Sequence, residues 1–222
     1  MKLKTFIFGL LASFGLPWLV VVAMPYITMM QIEPVSFDED LDGKTGVYQA
    51  KTSGQVINGA KLYGQNGCYV CHTQVVRPTY AGSDVWRSDL GKRESTVFDY
   101  LDGTSFAQIG LTRNGPDLSN FGTRVQAYAE KAGTTPEAWI FTHFLAPASV
   151  GGRGSYCPPL GFLFEESSGY GQTRETPLTN SDGDVVLPKQ EARILASYLM
   201  SLRRDSAVPV ALDRSPEPIK AK

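Results

Sequence analysis

Histidine and cysteine are scarce in this chain, two of the former and three of the latter in 222 residues. So few cysteines build no internal disulfide framework. Excess charge is equally sparse: a net charge of −1 and a pI near 6.1 remove the general electrostatic case for binding nucleic acid. No internal repeat is visible, so each motif is counted once. Between Thr5 and Met30 charge is missing altogether, and a segment without a single ionised side chain has no reason to stay in water.

That segment, FIFGLLASFGLPWLVVVAMPYITMM after Thr5, is long enough at about 1.5 Å per residue to cross a ~30 Å hydrocarbon core. Lys2 and Lys4 precede it, and Glu33, Asp38, Glu39, Asp40 and Asp42 follow. The positive-inside rule then leaves the N-terminus in the cytoplasm and exports the rest to the periplasmic side of the inner membrane. Val21-Val22-Ala23 ends in small residues of the kind a signal peptidase accepts, but the apolar run outlasts a typical signal core and continues past it. A permanent single-pass anchor over 1–31 is expected, with Pro17 as a kink and Tyr26 at the outer interface. With 42% hydrophobic residues, the remainder suffices for one core. The expected division is an acidic, then Gly/Ser/Thr-bearing linker at 32–54 that acts as a spacer, a domain at 55–205, and an extended proline-containing tail at 206–222.

Cys68-Tyr69-Val70-Cys71-His72 is the one run dense in chemistry. C-x-x-C-H is the attachment signature of a c-type haem: two thiols three positions apart each add across a vinyl group of one porphyrin, and the adjacent imidazole becomes the proximal iron ligand. A zinc site would need two more ligands at a matching spacing, and only Cys157 and His143 remain. A dithiol redox centre belongs in an alternating strand and helix pattern, whereas this pair follows a helical stretch and precedes an irregular one. The motif occurs once, so one covalently bound haem c is the expected cofactor.

Periodicity predicts three helices around it. Gln55 to Gln65 carries Val56, Ala60 and Tyr63 at helical spacing, with Gly59 as a flat spot. Thr135-Pro136-Glu137 is an N-cap, a first-turn proline and an acid at the positive dipole end, opening a helix that runs to about Leu145 and ends before Pro147. Lys189 to Arg204 places Ile194, Leu195, Tyr198, Leu199 and Leu202 on one stripe. Crossing the first and last of these brings Gly59 and Tyr63 close to Tyr198. Thr79 to Leu111 reads as a long insertion, with Trp86, Phe98, Tyr100 and Phe106 available to cover a haem edge or a neighbouring subunit. Glu165 to Asp184 reads as a polar surface loop.

Three helices, the haem motif at the end of the first, and Gly115-Pro116-Asp117-Leu118 between them resemble a class I cytochrome c. The fold expected is mainly α, one N-terminal transmembrane helix followed by a class I cytochrome c-like domain with long loops. Gly67 to Pro78 (GCYVCHTQVVRP), Thr112 to Leu118 (TRNGPDL) and Val185-Val186-Leu187-Pro188 narrow the resemblance to the membrane-anchored monohaem subunit II of cbb3-type cytochrome c oxidases. It implies that the Pro116 carbonyl accepts a hydrogen bond from the free ring nitrogen of His72. Tyr63, Gln74, Arg77, Arg113 and Leu118 would complete the haem environment, Arg77 and Arg113 as partners of the propionates. It also implies a haem-copper catalytic subunit in another chain, and an electron donor that is another cytochrome c subunit or a soluble cytochrome.

The departure from that family is at the sixth iron ligand. Most class I cytochromes place a Met-Pro in a loop before the last helix, and this chain has no methionine between Met30 and Met200. The family pattern lands on Ser155-Tyr156-Cys157-Pro158-Pro159, with Cys157 where methionine belongs and Gly151-Gly152-Arg153-Gly154 giving the loop its freedom. Cys157 is the expected distal ligand, and His143, on a helical face with Trp139, Ile140 and Phe144, and Met200 are the alternatives. No catalytic constellation is visible, so the chain reads as an electron-transfer subunit, not as an enzyme. A monohaem cytochrome of a nitric oxide reductase-like or quinol-oxidising complex, or a His/Cys-haem redox enzyme or sensor, is the alternative.

Overall fold

The computed structural model describes residues 2–48, 52–87, 94–100, 103–104, 108–151, 155–166, 178–179, 184–205 and 207–212. Phe106, Gly152 to Gly154, most of the loop between Glu165 and Asp184, and the tail beyond Leu212 lie outside the described residues.

Helix α1, Leu3–Met30, is long and apolar enough to cross a membrane, and none of its residues is buried. Two of its hydroxyls close back onto the helix, Ser13 to the Leu10 carbonyl and Thr28 to the Met24 carbonyl, so neither of these is left dry in lipid. Two wide π-helical stretches, Leu11–Gly15 and Leu19–Ala23, each end two residues before a proline, Pro17 and Pro25. A proline cannot donate to the carbonyl four residues back and pushes it away, so the preceding turn opens.

The remaining helices are α2, Glu39–Asp42, α3, Gly54–Gln65, α4, Phe121–Ala132, α5, Pro136–Leu145, α6, Pro147–Gly151, and α7, Gln190–Ser201. Helix α3 starts where Ser53 accepts a bond from the Val56 amide, and α5 where Thr135 accepts one from the Ala138 amide, both as the capping residues predict. Helix α7 stops short of the expected Arg204 because Leu202 turns to extended backbone. The core is built where α3 and α7 cross. Gly59 makes the crossing possible: a Cβ there would overlap Tyr198 Cβ and lie 2.6 Å from the Ile194 carbonyl oxygen. Beside it the Tyr63 and Tyr198 rings meet edge to face at 5.7 Å. Ala60, Tyr63, Leu195, Ala196, Leu199 and Val125 are sealed in this core with Ile140, Phe141 and Phe144 of α5. Each large side chain there contributes about 1.5–3 kcal/mol of burial.

Helix α4 carries no capping signal, because the Asn120 side chain, which would cap it, instead accepts the Arg204 amide. Its buried stripe of Phe121, Val125 and Ala129 holds it in place. A three-stranded antiparallel sheet replaces part of the polar loop: β1, Phe164–Glu166, and β2, Leu178–Thr179, flank β3, Val185–Pro188, with Glu165 opposite Leu187 and Leu178 opposite Val186. Buried Phe164, Leu178 and Val186 pin it to the core.

The segment expected as a spacer at 32–54 carries local structure among its described residues. Ser36 pairs with Val47, Asp38 caps α2, and Tyr48 is buried. The start of the tail is held too, because the Val210 amide donates to the Asp42 carboxylate and Pro209 is fully buried. For the helix crossing, Gly59→Ala is expected to lower stability by about 1–3 kcal/mol through overpacking, measured by denaturant unfolding. An unchanged midpoint would show that α3 and α7 do not approach this closely.

Candidate haem site

Cys68–Val70 forms a single 3-10 turn entered through Gly67 in left-handed backbone (φ 71°). The His72 amide closes the turn onto the Cys68 carbonyl at 3.0 Å, which gathers both cysteines and the histidine on one short loop. None of the three cysteines is in a disulfide, and all are half-buried. A second strand of chain is strapped alongside. Leu111 N donates to Tyr69 O, Thr112 N to Val70 O at 2.9 Å, Gly115 N to Cys71 O at 3.1 Å and Leu118 N to Thr73 O at 2.7 Å.

This strap delivers the Pro116 carbonyl to within 2.8 Å of His72 Nδ1. A carbonyl can only accept, so Nδ1 carries the proton and Nε2 presents a bare lone pair. That tautomer suits a metal ligand, and the bond fixes the ring's rotation. Gly115 is required for the approach, since a Cβ there would overlap the imidazole. Behind the motif Tyr63 donates to the His72 carbonyl at 3.2 Å, Tyr100 to the Gln74 carbonyl at 3.2 Å and Tyr198 to Gln74 Oε1 at 2.6 Å. Burial, with the nearby Cys68 and Tyr198 adding to it, drives the Tyr63 phenol far above its usual range. Leu118 is buried against this wall, and Gln74 Nε2 is buried with no hydrogen-bond partner.

Both main candidates for a second iron ligand lie within electrostatic reach of the motif. Cys157 lies within electrostatic reach of Cys71 and Cys68. Burial first, then these neighbours, raises its thiol and pushes Cys68 up to about 12. The Cys157 thiol makes only a weak 3.8 Å contact to the Pro158 carbonyl, which a stronger partner can replace. Its loop is tied down just beyond, where Leu160 N donates to Phe144 O at 2.7 Å and Lys189 N to Leu163 O at 2.9 Å. His143 stacks on Trp139 with ring centroids 5.8 Å apart. Burial, and then the proximity of His72, lowers its pKa to about 4, so it is neutral at pH 7. His143 Nδ1 is buried without a hydrogen-bond partner. Met200 packs against the core instead.

The two arginines separate. Arg113 is exposed and is the one non-glycine residue with positive φ (53°) among the described residues. Arg77 is paired within the protein: Nε and Nη2 grip the two oxygens of Asp84 at 2.8 and 2.7 Å, and its amide donates to the same carboxylate. Sequence spacing could not show Asp84, because the pair is made by the turn through Pro78 and Gly82.

These parts fit one haem: paired thiols, an oriented imidazole with its lone pair exposed, a glycine cradle, and a third thiol within electrostatic reach of the pair. Residues 12–206 match the model of the family described as cytochrome C oxidase, mono-heme subunit/FixO. The chain belongs to this family. It is the mono-haem cytochrome c subunit of a cbb3-type oxidase, a membrane electron-transfer subunit. No curated protein matches the chain. In this mono-haem subunit the apolar helix α1 agrees with membrane anchoring.

The Arg77 guanidinium beside Asp84 holds that carboxyl below the usual carboxylate range, against the opposing effect of burial. A depressed folded pKa contributes stability above the unfolded carboxyl value, and that contribution is lost as pH falls through the folded one. Asp84→Asn is therefore expected to be less stable than the parent at pH 7, with the gap narrowing in acid, as followed by thermal unfolding at pH 7 and pH 3. A pH-independent gap would separate Asp84 from this ion pair.

Proposed function

We propose that Cys68 and Cys71 hold one haem c by thioether bonds, with His72 as proximal and Cys157 as distal iron ligand. The haem domain then stands on the periplasmic side, with Lys2 and Lys4 of the short N-terminal segment in the cytoplasm. Electrons arrive from another cytochrome c subunit or a soluble cytochrome, and leave for a haem-copper catalytic subunit in a separate chain where the chemistry is done. The bound haem supplies a one-electron Fe(III)/Fe(II) couple. The observation that carries this reading is the His72 to Pro116 hydrogen bond, which leaves Nε2 as an oriented donor.

The chain's own residues tune that couple. His72, gripped at Nδ1, becomes a better donor through Nε2. Cys157 loses its proton on binding a metal, because a coordinating thiol is deprotonated outright. The added negative charge favours the ferric state and a lower potential than a thioether would give. Tyr63, Gln74 and Leu118 form the wall behind the motif, and exposed Arg113 is the arginine left to meet a propionate. The rival distal ligand is His143, favoured by its neutral state and its unpartnered Nδ1.

Cys157→Met is expected to raise the midpoint potential by more than about 100 mV, since axial-ligand identity moves haem potentials over ~0.8 V. Cys157→Ala should change the low-spin spectrum, while His143→Ala should leave it alone. The reverse result assigns the distal position to His143. The partner claim is checked by purifying the tagged chain from its membrane: a haem-copper subunit is expected to accompany it, and its absence would remove the oxidase partner.

A further inference from the structure

The segment after the anchor does work that a spacer cannot. Residues 35–48 form a closed hairpin: Tyr48 N donates to Val35 O and Phe37 N to Gly46 O, each at 2.8 Å. Its end is pinned to the domain. The Tyr48 hydroxyl donates to Asp99 Oδ1 at 2.6 Å in a buried contact, with Tyr48 only 5% and Asp99 only 1% exposed. The other oxygen of Asp99 accepts the Thr96 amide at 2.7 Å. Next to Asp99, Tyr100 donates to the Gln74 carbonyl, two residues beyond His72. The tail adds a second tie, from Val210 N to Asp42 Oδ1 at 2.7 Å.

We propose that Tyr48 is a positioning residue for electron transfer: by locking the hairpin onto Asp99 it fixes how far the haem can stand from the membrane. The inference rests on the anchor and haem assignments above. As a free linker, residues 32–54 would let the domain wander over a reach of roughly 75 Å at ~3.3 Å per residue. With the hairpin closed and pinned, the free chain between α1 and Val35 is residues 31–34, a reach of roughly 13 Å. The acceptor is correspondingly a redox centre of a membrane-embedded partner lying near the bilayer surface.

The test uses the intact oxidase complex carrying three variants of this chain: a four-residue Gly/Ser insertion within Ile32–Pro34, the same insertion beside Gly43 in the hairpin turn, and Tyr48→Phe. Haem absorbance, midpoint potential and copurification are recorded for each, and the rate of electron transfer into the catalytic subunit is followed by stopped flow. The insertion at 32–34 is expected to slow transfer on the order of tenfold, because small misplacements of reacting centres are costly. Tyr48→Phe should slow it as well at unchanged midpoint potential, and the insertion beside Gly43 should change it by less than about twofold, as insertions at exposed turns do. If the two insertions act alike, or Tyr48→Phe leaves the rate untouched, the segment is a spacer after all. A wild-type chain without haem c would instead overturn the cofactor assignment, an outcome visible before any rate is measured.

Discussion

One hydrogen bond, from the His72 imidazole to the Pro116 carbonyl, organises the site. It fixes a tautomer, a ring rotation and a lone-pair direction together, and it is available only because the strap from Leu111 to Leu118 is laced to the motif by its own backbone. The strap is laced there because Leu118 is buried and because Gly115 permits contact that a side chain would forbid. Backbone carbonyls cannot be removed by mutation, so this control over the ligand is built into chain path more than side-chain identity.

Behind the motif the same logic continues through phenols. Tyr63, Tyr100 and Tyr198 each donate a hydroxyl to Gln74 or to the His72 carbonyl, and each comes from a different part of the chain. The rigid crossing of α3 and α7 is thereby transmitted to the loop that holds His72. Such rigidity suits a centre that changes charge by one electron and gains nothing from moving.

Much of this was legible in sequence, for identifiable reasons. The haem motif is local, so spacing alone reveals it. The caps at Thr135 and Pro136 and the flat spot at Gly59 are also local, and the helices they mark lie where periodicity puts them. Helix α4 was hidden because its start, Asn120-Phe121-Gly122, has no side-chain cap and its capping residue serves Arg204 instead; only the Phe121, Val125, Ala129 spacing could have disclosed it. The strands were hidden by being two to four residues long. The pairings of Arg77 and Tyr48 were hidden for a shared reason: their partners, Asp84 and Asp99, are brought to them by the fold, and no spacing rule names a tertiary partner.

Helix α1 spans 28 residues, about 42 Å at ~1.5 Å per residue, against a hydrocarbon slab of ~30 Å. That mismatch of about 12 Å must be absorbed by tilt, by local thickening of the bilayer, or by letting the last turns surface among the lipid headgroups. The last turns hold Tyr26, an interfacial residue by nature. The π-helical widenings ahead of Pro17 and Pro25 lie on either side of the middle of the helix. An oversized anchor therefore suits thicker membranes better than thin ones, so bilayer thickness itself becomes a variable in where this subunit is most at ease.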